Sequence, residues 1–102
     1  GPLFFAVANR LDEVLDQFPD PPRVFILRLR RVPLIDTSGV TALREFIARC
    51  RQHGTRVILS GLQEQPKRIL AQMHIEADGA QLRFASNFAQ AVQFARCDSP
   101  AT

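Results

Sequence analysis

The chain contains no tryptophan, no tyrosine, one methionine, five glycines and two cysteines. Each shortage excludes something. Nucleic acid is gripped by basic stripes interleaved with aromatic stacking platforms. Here the eight phenylalanines fall in apolar patterns that read as core, and the basic residues are scattered, so no nucleic-acid partner is expected. Five glycines leave little material for a loop that cradles phosphate, and the Gly-x-Gly-x-x-Gly, Gly-Lys-Ser/Thr and Gly-x-Ser-x-Gly motifs are all missing. No cofactor is expected. His53 and His74 stand 21 positions apart with no His or Cys at ligand spacing, so no metal is expected either. Both histidines read as helix-end residues, where they meet free carbonyls and the helix dipole. Cys50 and Cys97 lie 47 positions apart in no Cys-x-x-Cys pattern and read as reduced thiols of a cytosolic protein. No apolar run approaches the ~18–20 residues of a membrane helix. No charged-then-apolar leader opens the chain. The expectation is a domain that is neither exported nor membrane-spanning by itself.

What is present is one domain's worth of ordinary globular sequence: 102 residues, 46% hydrophobic and 23% charged. A domain of that size buries roughly two thirds of its unfolded surface, enough for one core without disulfides. The formal net charge is +3, and twelve of the thirteen basic residues are arginines. Only Arg28-Leu29-Arg30-Arg31 approaches a cluster. A mildly basic face beside an anionic membrane accounts for this balance; so does arginine used as a general solubilising residue.

The apolar periodicity alternates between strand and helix. Leu3-Phe4-Phe5 reads as a short strand, and Val7, Leu11, Val14, Leu15 and Phe18 then form a helical stripe. Pro19-Asp20-Pro21-Pro22 ends that helix. Residues 23–29 read as a buried strand. Asp36-Thr37-Ser38-Gly39 opens a second helix with Val40, Leu43, Phe46, Ile47 and Cys50 inward, and Gly54 stops it. Residues 56–60 give a third strand, and Pro66, Ile69, Leu70 and Met73 a short third helix. Residues 81–85 give a weak fourth strand, after which Ser86 or Asn87 caps a helix carrying Phe88, Ala91, Val92 and Ala95 inward. Residues 1–97 thus form one domain, and residues 98–102 read as a frayed tail. The fold expected is α/β: a twisted, mostly parallel sheet of about four strands with about four packed helices. The chain starts abruptly inside its first strand, which implies a missing N-terminal edge strand.

One segment stands out for chemistry: Val32-Pro33-Leu34-Ile35-Asp36-Thr37-Ser38-Gly39, after a strand's C-terminal end and opening a helix. Parallel α/β sheets place their functional loops there. Asp36 or Thr37 can cap the helix, Gly39 permits a close turn against the sheet, and Ser38 then sits in the first turn facing solvent. A phosphate on Ser38 would meet the positive helix end but also the repelling charge of Asp36. Local physics alone favours a plain helix cap. A nucleophilic pair of Ser38 with a distant histidine has nothing in the sequence to assemble it, so no enzyme is expected.

The run Leu27-Arg28-Leu29-Arg30-Arg31-Val32-Pro33-Leu34-Ile35-Asp36-Thr37-Ser38-Gly39 resembles a STAS domain (sulfate transporter and anti-sigma factor antagonist). The opening Gly1-Pro2-Leu3-Phe4-Phe5-Ala6 resembles the Gly-Pro-Leu-Phe-Phe-Gly start of STAS domains at the cytoplasmic C-terminus of SulP transporters, departing from it at Ala6. The strand and helix order through Phe94 agrees. Arg-Leu-Arg-Arg-Val-Pro is characteristic of the transporter branch, whereas Asp-x-Ser-Gly is common to both branches. The resemblance implies a non-catalytic regulatory domain at the cytoplasmic face of the plasma (inner) membrane, part of a larger sulfate or anion transporter. Its implied partners are that transporter's membrane domain, a cytosolic regulatory protein, and a second copy through the full-length protein. Soluble anti-sigma factor antagonists bring the other reading: a free-standing switch in which Ser38 accepts phosphate and releases a kinase-like partner. In the transporter branch the matching loop often lacks that serine.

Overall fold

The computed structural model describes residues 10, 11 and 13–97; for Cys97 only the backbone is described. The first expected strand and the expected frayed tail, residues 98–102, lie outside the described residues. Residues 10, 11 and 13–16 are helical (α1). Then follow β1 (Val24–Arg28), α2 (Thr37–Gln52), β2 (Arg56–Ser60), α3 (Glu64–Gln72), β3 (Leu82–Ala85) and α4 (Phe88–Cys97). The strands form a parallel sheet in the order β1-β2-β3. Register pairs Leu27 with Leu59 and Arg28 with Ser60, and β2 pairs Leu59 with Phe84 and Ser60 with Ala85.

Strand alternation sorts the side chains onto two faces. Leu27, Val57, Leu59 and Leu82 point to the main core, which α1, α2 and α3 complete with Leu11, Leu15, Val40, Leu43, Phe46 and Leu70. Ile58 and Ala85 point the other way and meet Ala91, Phe94 and Ala95 of α4, the helix that packs across β1, β2 and β3 on that side. Cys50 is buried in the main core, as its position on the inner stripe of α2 implied.

The helix ends follow from the local sequence. Asn87 Oδ1 accepts from Gln90 N–H at 2.8 Å, while Gln90 Oε1 accepts from Ser86 N–H at 2.7 Å, a reciprocal cap. At the end of α2, Gly54 N–H reaches Arg51 C=O and Thr55 N–H reaches Cys50 C=O, with Gly54 at φ +74°. That is the Schellman arrangement the glycine was expected to provide. The end of α3 repeats it with His74 at φ 62° in the glycine's place. His53 is the last cap residue of α2, its ring Nδ1 3.1 Å from Arg49 C=O.

Two expectations are corrected. The phenylalanines are not all core: Phe18, Phe84 and Phe88 are exposed, and Phe88 does not face inward from α4. Its ring instead lies under the Arg28 guanidinium, whose carbon is 4.5 Å from the ring centroid. Residues 23–29 are not a fully buried strand, since Val24, Phe25 and Ile26 are half-buried and Arg28 is exposed. Among the described strands only β2, flanked by β1 and β3, is buried almost throughout.

The approach to β3 is organised by Asp78, whose Oδ1 accepts from the N–H groups of Ala80, Gln81 and Leu82 at 2.8–2.9 Å. The Leu82 and Ala80 N–H groups, then Gln81 and the charge of Arg51, hold its carboxyl below the usual carboxylate range. A lowered folded-state pKa contributes stability above the unfolded value of about 3.9 and loses it as pH falls through the folded value. Asp78→Asn is therefore expected to be less stable than the parent at pH 7. The gap is a few tenths of a kcal/mol to about 1, small because an exposed charge is screened. Urea titrations followed by circular dichroism should show the two chains converging below about pH 4. A gap independent of pH would assign the effect to shape rather than charge.

Candidate functional site

The segment between β1 and α2 is held in place by backbone chemistry. Val32 N–H donates to Leu29 C=O, closing a turn over Arg30 and Arg31. Ile35 is then buried, and Gln65 of α3 brackets it: Ile35 N–H donates to Gln65 Oε1 at 2.8 Å, and Gln65 Nε2 donates to Ile35 C=O at 2.9 Å. This two-point clamp fixes where α2 begins. Leu34, beside it, is exposed.

Asp36 is the N-cap. Its extended backbone turns the chain into the helix, and its Oδ1 accepts from Gly39 N–H at 2.8 Å. Thr37 C=O accepts from the Thr41 hydroxyl at 3.0 Å. Ser38 is exposed in the first turn. Gly39 is buried and helical, and it is not among the glycines with positive φ, so it serves no left-handed turn. The four residues singled out by sequence are thus one contiguous helix start, with one carboxylate engaged in capping and two hydroxyl-bearing residues, Thr37 and Ser38, exposed.

The arrangement supports no nucleophilic pair with His53. That residue lies at the far end of the same helix, 15 residues and about 22 Å from Ser38 at 1.5 Å per residue. Among the described residues no group of three or more His, Cys, Asp or Glu side chains is placed to hold a metal. An exposed hydroxyl in the first turn of a helix can do two things chemically: hydrogen-bond a partner, or accept a phosphoryl group that the helix dipole favours and Asp36 opposes.

Sequence reasoning passed over the other side of the sheet's C-terminal end. There Arg28, Arg30, Ser60 and the start of α4 surround a groove of ≈ 430 Å³. The signals were present separately: the Arg28-Leu29-Arg30-Arg31 cluster, a serine ending the central strand, and the Asn87 cap. Only the parallel register brings them to one place.

The family model of the STAS domain matches residues 1–92. Over 71 residues the chain is 34% identical to a Bacillus subtilis (strain 168) protein carrying the name "Putative sulfate transporter YvdB". That match takes in 69% of this chain and 13% of that protein's length. A crystal structure of a sulfate transporter family protein from Wolinella succinogenes superposes with a TM-score of 0.77 at 35% identity. It covers 91% of this chain and 76% of that one. The STAS domain of a SulP transporter from Vibrio cholerae gives the same TM-score of 0.77 over 96% of this chain and 77% of its own, at 24% identity.

Proposed function

This chain belongs to the STAS domain family, and on that premise we propose that it is the non-catalytic regulatory domain of a larger SulP-type anion transporter. The observation that carries the reading is the match to a sulfate transporter of which the chain spans only 13%. Arg28-Leu29-Arg30-Arg31-Val32-Pro33 supports it from the sequence, as the run characteristic of the transporter branch. Among the described residues no helix is long and apolar enough to cross a membrane. In this reading residues 1–97 form one domain on the cytoplasmic face of the inner membrane. It works by contact, with its own transporter's membrane domain, with a cytosolic regulator, or with a second copy.

An antibody to the chain, used on fractionated cells of the native host, tests this directly. The expected result is a band far larger than 11.5 kDa, confined to the membrane fraction. A soluble band near the chain's own mass would overturn it.

The exposure of Ser38 supports a second reading, in which the α2 start is a phosphorylation-controlled contact. Ser38→Asp places a charge beside Asp36 at the helix start. The switch reading expects a partner recovered with the parent chain to be lost with this variant and kept with Ser38→Ala. Equal recovery of that partner by all three chains would sink the switch and leave the transporter reading untouched.

A further inference from the structure

We propose that the groove between the Arg28–Arg30 turn and the start of α4 binds a free tetrahedral oxyanion, sulfate or phosphate. It stands on the geometry of the groove alone and does not depend on the transporter reading.

The groove sits at the C-terminal ends of the parallel strands, where open α/β sheets bind ligands because the strands stop and the chain diverges to either face. Arg28 ends β1 and Ser60 ends β2, paired in register, and Ser86 through Ala89 lead into α4. The ≈ 430 Å³ available is ample for one oxyanion and its water.

Two arginines and no carboxylate stand among the described residues that line it. Arg28 is steered there by stacking on Phe88, which places its charge over the first turn of α4. This explains an aromatic ring left in solvent. Arg30 has no side-chain partner among the described residues. It approaches closely because residue 61 is glycine: a Cβ there would stand 2.9 Å from Arg30 Cβ. Gln63 Nε2 donates to Arg30 C=O and fixes that backbone from the other side.

The helix contributes donors. α4 is 10 residues long, and its cap is already used, Asn87 on Gln90 N–H and Gln90 on Ser86 N–H. The N–H groups of Phe88 and Ala89 have no acceptor among the described residues. Such donors, with the positive helix end, favour an anion.

A separate observation comes from the floor of the groove. Ser60 is 2% exposed, and among the described residues its hydroxyl makes no hydrogen bond. Buried hydroxyls are nearly always satisfied. One that lines an arginine-rimmed groove and lacks a protein partner is a donor waiting for a ligand oxygen. Arginine supplies the fork geometry that tetrahedral oxyanions accept.

The test is titration of inorganic phosphate, and then sulfate, into the ¹⁵N-labelled 102-residue chain, with sodium chloride as the control at equal ionic strength. Amide shifts should concentrate at Gly61, Phe88 and Ala89 and saturate with a Kd on the order of 1 mM. Arg30→Gln is expected to weaken binding roughly tenfold, the loss of one charge-assisted hydrogen bond. Ser60→Ala should weaken it several-fold without lowering Tm, because no protein hydrogen bond is lost. Arg51→Gln, at the Asp78 ion pair, should bind as the parent does. Shifts no larger than those from chloride, or shifts that survive Arg30→Gln, overturn the proposal. So does a Ser60→Ala chain that loses Tm and keeps affinity, which would make the hydroxyl purely structural. Binding to phosphatidylglycerol vesicles that depends on Arg30, with no response to either free anion, also overturns it, in favour of a lipid surface.

Discussion

Phe46→Ala is expected to destabilise the domain by about 3–5 kcal/mol, the range for truncating a buried aromatic side chain. Phe46 is 1% exposed in the middle of α2, where its ring meets Phe25 of β1 edge-on at 5.1 Å between centroids. Truncation removes the transfer free energy of the ring and leaves a cavity between helix and sheet that a rigid neighbourhood fills only partly. It also deletes the aromatic pair, worth about 0.5–1.5 kcal/mol beyond burial. Against a total stability of about 5–15 kcal/mol for a domain, one substitution removes a large share. With no tryptophan or tyrosine to report, the measurement is urea unfolding followed by far-ultraviolet circular dichroism. Phe88→Ala is the comparison: its ring is 43% exposed, and its loss should cost about 1 kcal/mol or less. Equal costs for the two would mean that α2 is not seated on the sheet through Phe46.

Gly61→Ala is expected to cost about 2–4 kcal/mol, unusual for a change of one methyl group. Gly61 has φ +74°, where an L side chain loses about 1–2 kcal/mol. The added Cβ would also stand 2.9 Å from Arg30 Cβ, 3.2 Å from its Cα and 3.3 Å from its N. Those are backbone and near-backbone atoms, so relief requires the turn after β1 to move. Gly54→Ala separates the two causes. Gly54 has the same φ of +74°, but a Cβ there meets nothing within 4 Å, so only the conformational part remains, about 1–2 kcal/mol. The difference between the variants measures the contact itself. If both lose the same amount, the β1 turn is free to yield and the approach of Arg30 to β2 is not fixed.

The helix starts and stops were legible because they are local. Asp36, Asn87 and Gly54 act through hydrogen bonds within a few residues; Gly54 stops α2 as expected, and the structure selects Asp36 over Thr37 and Asn87 over Ser86 as the side chains that cap. The inner stripe of α2 was equally plain, since Val40, Leu43, Phe46, Ile47 and Cys50 repeat at helical spacing and all are buried. Phe88 misled for the converse reason. Its spacing to Ala91, Val92 and Ala95 is that of an inward stripe, yet the residue that decides its environment is Arg28, 60 positions earlier.

The sequence by itself determined the α/β class, the order of the elements, the STAS membership and the exposed serine at the start of α2. Those rest on period, capping chemistry and a contiguous motif, all readable within about a dozen residues. The tertiary structure alone decided that β2 is central, that Gln65 clamps Ile35, and that Arg28, Ser60 and the start of α4 share one groove. Each of these depends on which strand lies beside which and in what register. Hydrogen bonds and packing between distant segments set that register, and no local pattern encodes it.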